Sequence, residues 1–139
     1  MAFTVAIFTL GKSHWWMKVS DAILAVLPGV FVLVFRDIEE WLGAARGLSG
    51  EQVLLLGPKS QAEMDVMLAA KELIWGKDVL VVLPREMEAF EARARELQPR
   101  IFLPESVRPE EVAEAVRKMH DRSRRRLDHW DWSDVDAGN

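Results

Sequence analysis

Five short apolar runs recur along the chain: FTVAIFTL (3–10), VFVLVF (30–35), QVLLLG (52–57), DVLVVL (78–83) and RIFL (100–103). The first four are rich in valine, isoleucine, leucine and phenylalanine and do not alternate with polar residues. Continuous apolar runs of this length suit strands buried on both faces of a parallel sheet.

The segments between them carry helical periodicity. Residues 13–27 place Trp16, Val19, Ile23 and Leu27 on one face, and residues 37–48 do the same with Ile38, Trp41, Leu42 and Ala45. Residues 60–75 turn Met64, Met67, Leu68, Leu73 and Ile74 inward. That segment opens with Ser60 and has Glu63 three positions on, a capping box, and it stops at Gly76, a C-cap signal. Residues 85–97 are highly charged, with Met87, Phe90, Ala94 and Leu97 as a thin apolar stripe. A last helix begins at Pro109, is followed by Glu110 and Glu111 as first-turn acids, and buries Val112, Ala115, Val116 and Met119.

Strand and helix therefore alternate five times. The expected fold is α/β: a five-stranded parallel sheet, doubly wound as (βα)5 in the flavodoxin-like manner, with helices on both faces and strand order 2-1-3-4-5. The expected division is one domain over residues 1–121 and a tail over 122–139 that is basic, then acidic and aromatic.

Composition narrows the chemistry. The chain has 139 residues, enough for one domain, and 50% of them are apolar, enough for a single core. A net charge of −4 argues against a general nucleic-acid binder. With no cysteine, disulfides, thiol catalysis and cysteine-held metals are excluded. The longest apolar run, 22–35, is split by the turn pair Pro28-Gly29, so no membrane span is expected. The N-terminal stretch lacks a basic leader and a cleavage site, so a cytoplasmic location is expected.

In an open parallel sheet, ligands bind beyond the carboxyl ends of the strands. The residues expected there include Lys12, Arg36, Lys59 and Arg85, a candidate anion-binding set aided by helix N-termini. The alternative is that these are ordinary solvated loop charges. The triplet GKS (11–13) is not a phosphate-binding loop, because the glycine that motif needs five residues earlier is Ala6, inside a strand. His14, His120 and His129 show no metal-ligand spacing, so no metal site and no cofactor is expected. Trp15 is either an edge residue of the core or part of an interaction patch. Arg117, Arg122, Arg124, Arg125 and Arg126 form a basic helix end with no aromatic platform, which does not suggest nucleic-acid binding. Trp130 and Trp132 stand among aspartates in the tail, a segment that either docks on a partner or folds back.

Two segments carry a family resemblance. RIFLPESVRPEEVAEAVRKM (100–119) and VLLLGPKS (53–60), with the layout of residues 3–120, resemble the receiver domain of two-component response regulators. The resemblance implies a phosphoacceptor aspartate at the end of the third strand, where Gly57 stands. It implies metal-binding acids after the first strand, where Phe8, Thr9 and Leu10 stand. A hydroxyl residue is implied at Leu83-Pro84, and a lysine-proline pair at Glu105 and Ser106. All four chemical positions depart from the pattern. The expectation is thus a pseudo-receiver: not an enzyme, not phosphorylated, and acting on a signalling kinase or effector by protein–protein contact. The family also implies a homodimer face on the fourth helix, fifth strand and fifth helix, where Arg93 and Arg117 are candidate contacts. The alternative is a sensor for a small anion or nucleotide held by the strand-end cations.

Overall fold

The computed structural model describes residues 3–9, 14–47, 52–104 and 106–122. Five parallel strands, β1 (Thr4–Phe8), β2 (Phe31–Phe35), β3 (Gln52–Leu56), β4 (Asp78–Leu83) and β5 (Ile101–Pro104), form one sheet in the order β2-β1-β3-β4-β5. This is the expected strand order. Helix α1 (His14–Val26) joins β1 to β2, and α2 (Ile38–Gly47) joins β2 to β3. The next crossover holds α3 (Gln61–Ala69) and α4 (Lys71–Ile74). A short α5 (Glu91–Ala94) precedes β5, and α6 covers residues 109–122.

The sheet separates two cores. One face carries Val5, Ile7, Val53, Leu55, Leu80 and Val82 under α1 and α6, through Trp16, Val19, Ile23, Val112, Val116 and Met119. The opposite face carries Ala6, Phe8, Leu54, Leu56, Val79 and Val81 under α2 to α5, through Trp41, Met64, Met67, Ile74 and Ala94. Alternate residues of each central strand thus enter different cores, which is why those strands read as unbroken apolar runs.

Local signals are met where they were strong. Ser60 Oγ accepts from the Glu63 N–H at 3.1 Å, so the N-cap is made, while Glu63 Oε2 accepts from the N–H of Lys59, one residue before the cap, at 3.2 Å, a variant of the capping box. The chain leaves α4 through Gly76 at φ 85°, a left-handed position that glycine occupies without a Cβ penalty.

Three expectations are corrected. Strand β2 is not buried on both faces: Phe31, Leu33 and Val34 are exposed. It lies at the sheet edge, with β1 as its only strand neighbour among the described residues, so its two faces are covered from one side alone. The helix expected over 60–75 breaks at Ala70 (φ −101°, ψ 9°), and Leu73 turns outward while Ile74 stays in the core. The helix expected over 85–97 is three pieces, a 3₁₀ stretch Arg85–Phe90, then α5, then a 3₁₀ turn Arg95–Leu97. Its apolar stripe was thin, and in the second half only Ala94 and Leu97 are fully buried, too little packing to hold one regular helix against its charged remainder.

Candidate functional site

The carboxyl ends of β1, β3 and β4 meet at the centre of the sheet and set the site. Each contributes its last residues: Phe8 and Thr9, Gly57 and Pro58, Leu83 and Pro84, all buried. The Gly57 N–H donates to the Phe8 carbonyl at 3.2 Å, which continues the β1–β3 ladder by one step and fixes where a side chain at position 57 would project.

That space is occupied by Trp16. Its indole, 4% exposed, comes from the first turn of α1 and lies directly on Gly57. A Cβ added at Gly57 would overlap Trp16 Cζ2 and stand 3.0 Å from Cε2 and 3.2 Å from Nε1. Gly57 has no left-handed φ, so glycine is needed there for close approach and not for backbone conformation. Trp15 packs edge-on against Trp16, with ring centroids 5.0 Å apart and planes at 87°, and is half-buried. Trp15 is therefore the outer layer of the same plug rather than a free surface residue.

The rest of the mouth is equally unlike an acidic pocket. Thr9 is buried, and among the described residues its hydroxyl has no hydrogen-bond partner. Leu83 and Pro84 close the end of β4 with apolar surface. Among the described residues no group of three or more histidine, aspartate or glutamate side chains is placed to hold a metal ion.

The strand-end cations are spread across the sheet. Arg36 follows the edge strand β2, Lys59 follows β3 and Arg85 follows β4; all three are exposed and none makes an ion pair with a described residue. With strands about 4.8 Å apart, two spacings separate the backbones at Arg36 and Lys59 and one separates Lys59 from Arg85. Lys12 and Glu105 lie outside the described residues, as do Trp130 and Trp132.

The remaining interaction candidates sit elsewhere. Arg93 on α5 reaches across to Asp65 on α3 at 2.6 Å. Arg117 on α6 binds Glu114 and, at 2.8 Å, Asp121. The hydrogen bond from Arg117 holds the Glu114 carboxyl below its ordinary range and lifts the Arg117 guanidinium. Both arginines flanking β5 are thus engaged within their own chain.

The role of Trp16 is not legible in the sequence. It reads as one apolar position of a helix face, and nothing local in the sequence links it to a glycine 41 positions later.

The architecture is that of a doubly wound α/β domain. More narrowly, the chain has the fold of a response regulator receiver domain. A CheY-like receiver domain protein from Methanospirillum hungatei JF-1 superposes with a TM-score of 0.70 at 12% identity, over 90% of this chain and 98% of that one. The receiver domain of AraT, a response regulator from Geobacillus stearothermophilus, gives 0.64 at 18% identity, over 91% and 99%. A receiver domain from Rhodospirillum rubrum gives 0.59 at 16%, over 83% and 89%. No protein-family model matches the sequence, and no curated protein matches it. No helix among the described residues is long and apolar enough to cross a membrane.

Proposed function

We propose that this chain is a receiver-fold signalling module that works without phosphoryl transfer, by binding a protein partner such as a signalling kinase or an effector. The observation that carries this is the Trp16 indole seated on Gly57. A receiver's acceptor carboxylate would need the volume that the indole fills. The neighbouring strand ends offer Phe8, Thr9, Leu83 and Pro84, none of which supplies a carboxylate for a hard divalent cation. A packed plug of this kind retains the fold while leaving the pocket no room for chemistry. Fold by itself does not decide function, so the proposal rests on the plug.

The test is incubation with acetyl phosphate and Mg²⁺, followed by intact-mass measurement and hydroxylamine treatment. The expected result is no phosphoryl adduct. A hydroxylamine-sensitive adduct on any aspartate overturns the proposal.

A second reading, a sensor for a small anion or nucleotide, draws support from Arg36, Lys59 and Arg85, which are exposed and make no ion pair with a described residue. Lys59 and Arg85 stand one strand spacing apart and Arg36 two spacings from Lys59, so a small anion would be held by Lys59 and Arg85. A thermal-shift series with phosphate, nucleotides and cyclic dinucleotides separates the two readings, because a bound ligand raises Tm by mass action. A homodimer through α5, β5 and α6 has weaker support, since Arg93 and Arg117 are already paired in the chain.

A further inference from the structure

The two edges of the sheet are built differently. The β5 edge is guarded: the strand is four residues long, it ends in Pro104, and the Arg95 guanidinium lies over Phe102 at 4.9 Å. Short edge strands, proline and charge are the usual devices against edge-to-edge pairing. The β2 edge has none of them. Its five residues, Phe31-Val32-Leu33-Val34-Phe35, include no charge and no proline, and Phe31, Leu33 and Val34 are 58%, 37% and 48% exposed.

Among the described residues the backbone of that edge is also unpaired in a defined way. Phe31 N–H donates to Phe3 O at 3.0 Å, and Phe35 O accepts from Thr9 N–H at 3.1 Å. In a parallel ladder this assigns the backbone groups of Phe31, Leu33 and Phe35 to β1. The N–H and C=O groups of Val32 and Val34 therefore face outward from the sheet.

The strand reads the same in both directions: F-V-L-V-F. We propose that the β2 edge pairs antiparallel with the β2 edge of a second copy of this chain, about a two-fold axis through Leu33. Leu33 then faces its symmetry mate in a non-hydrogen-bonded position, and each Val32 faces the other copy's Val34 in a hydrogen-bonded pair. All four outward N–H groups and all four outward C=O groups of the two copies are satisfied. On one sheet face Phe31 meets Phe35, and on the other Val32 meets Val34, so like surfaces join on both faces. A single isologous patch that closes in this way is the form a two-fold dimer requires.

Register is decided by what flanks the strand. Moving the axis to Val34 brings Arg36 opposite Val32. Moving it to Val32 brings in Val30, whose N–H already donates to Leu27 O at 3.2 Å. With the axis at Leu33, the two Arg36 backbones lie six residue rises apart, about 20 Å, beyond the roughly 8–10 Å over which charges interact at physiological salt. The paired residues themselves carry no charge, and the two Arg36 residues are kept apart.

Size sets the strength. A five-residue strand edge with one side-chain layer on each face offers only a few hundred Å² per chain, short of the roughly 800 Å² per partner of a standard interface. The dimer is accordingly weak and concentration-dependent. It does not depend on whether phosphoryl transfer is lost.

Sedimentation velocity on the full chain from about 1 µM to about 1 mM is expected to show a monomer–dimer equilibrium. Leu33→Lys and Leu33→Glu, each checked by circular dichroism, should each weaken association by roughly tenfold or more, and mixing the two should restore it. The chain has no cysteine, so Leu33→Cys gives an unambiguous readout. Opposed non-hydrogen-bonded residues have Cα atoms about 4.5 Å apart, within disulfide range, so mild oxidation should cross-link two chains. Met17→Cys, the control, should cross-link far less. Should Leu33→Lys fail to fold, the cross-link still decides. A chain that stays monomeric throughout with no Leu33→Cys cross-link overturns the proposal. A dimer unaffected by Leu33→Lys also overturns it, since another face would then be responsible.

Discussion

Substituting Gly57 by alanine adds one methyl group at the most crowded of the described glycines. The new Cβ would overlap Trp16 Cζ2 and press on Cε2 and Nε1 at 3.0 and 3.2 Å. Comfortable carbon contacts are about 3.5–4.0 Å, so the indole must retreat by about 1 Å. It cannot do so freely, because Trp16 is wedged in the core formed with Val19, Ile23, Val53 and Leu55, and Trp15 stacks edge-on behind it. Overpacking a buried site costs about 1–3 kcal/mol. A rigid ring with no free side places Gly57→Ala at the upper end, about 3 kcal/mol, or a fall in Tm of about 10 °C. The assay is urea denaturation of wild type, Gly57→Ala, Trp16→Leu and the double variant, with unchanged m-values confirming comparable transitions. In the Trp16→Leu background the clash is relieved, and Gly57→Ala should cost less than about 1 kcal/mol, a coupling of about 2 kcal/mol. A cost below about 0.5 kcal/mol in the wild type, or an equal cost in both backgrounds, would refute the plug.

The remaining predictions concern local chemistry. Ser60→Ala should remove the α3 cap and lower stability by about 1 kcal/mol, read in the same denaturation assay. Gln98 has φ 54° and lies in the left-handed region, so Gln98→Gly should raise stability by about 0.5–1 kcal/mol; a loss would mean that its side chain makes a contact of value. Glu114 has its pKa lowered from 4.5, first by the hydrogen bond from Arg117. A depressed carboxylate stabilises the fold above its unfolded pKa, and that contribution fades as pH falls through the folded value. Glu114→Gln should therefore flatten the acid side of the Tm–pH curve slightly, below about pH 4.5, and leave the neutral side nearly unchanged because the pair is at the surface.

Much of the fold is visible in one dimension. Apolar runs, the Ser60–Glu63 box, Pro28-Gly29, Gly76 and Pro109 are short-range signals, and each acts where it stands because backbone preference and capping involve residues within one turn of each other. The alternation of strand and helix, with right-handed crossovers, leaves few topologies and makes the strand order legible as well. The departures at Gly57 and at Phe8-Thr9 could likewise be seen by setting the sequence against the receiver pattern.

The failures share a different cause. The composition of β2 matches that of β1, β3 and β4, yet it is an edge strand with exposed side chains, because burial depends on which elements arrive on either side and not on the strand itself. The segment 85–97 has helical spacing, but its regularity depended on packing that, in its second half, only Ala94 and Leu97 receive in full. Most of all, the sequence alone determined that Gly57 carries no acceptor carboxylate, while only the tertiary structure decided that the space is filled. That decision belongs to Trp16, brought from another element by the α1 crossover, and a contact between residues so far apart in the chain has no local signature.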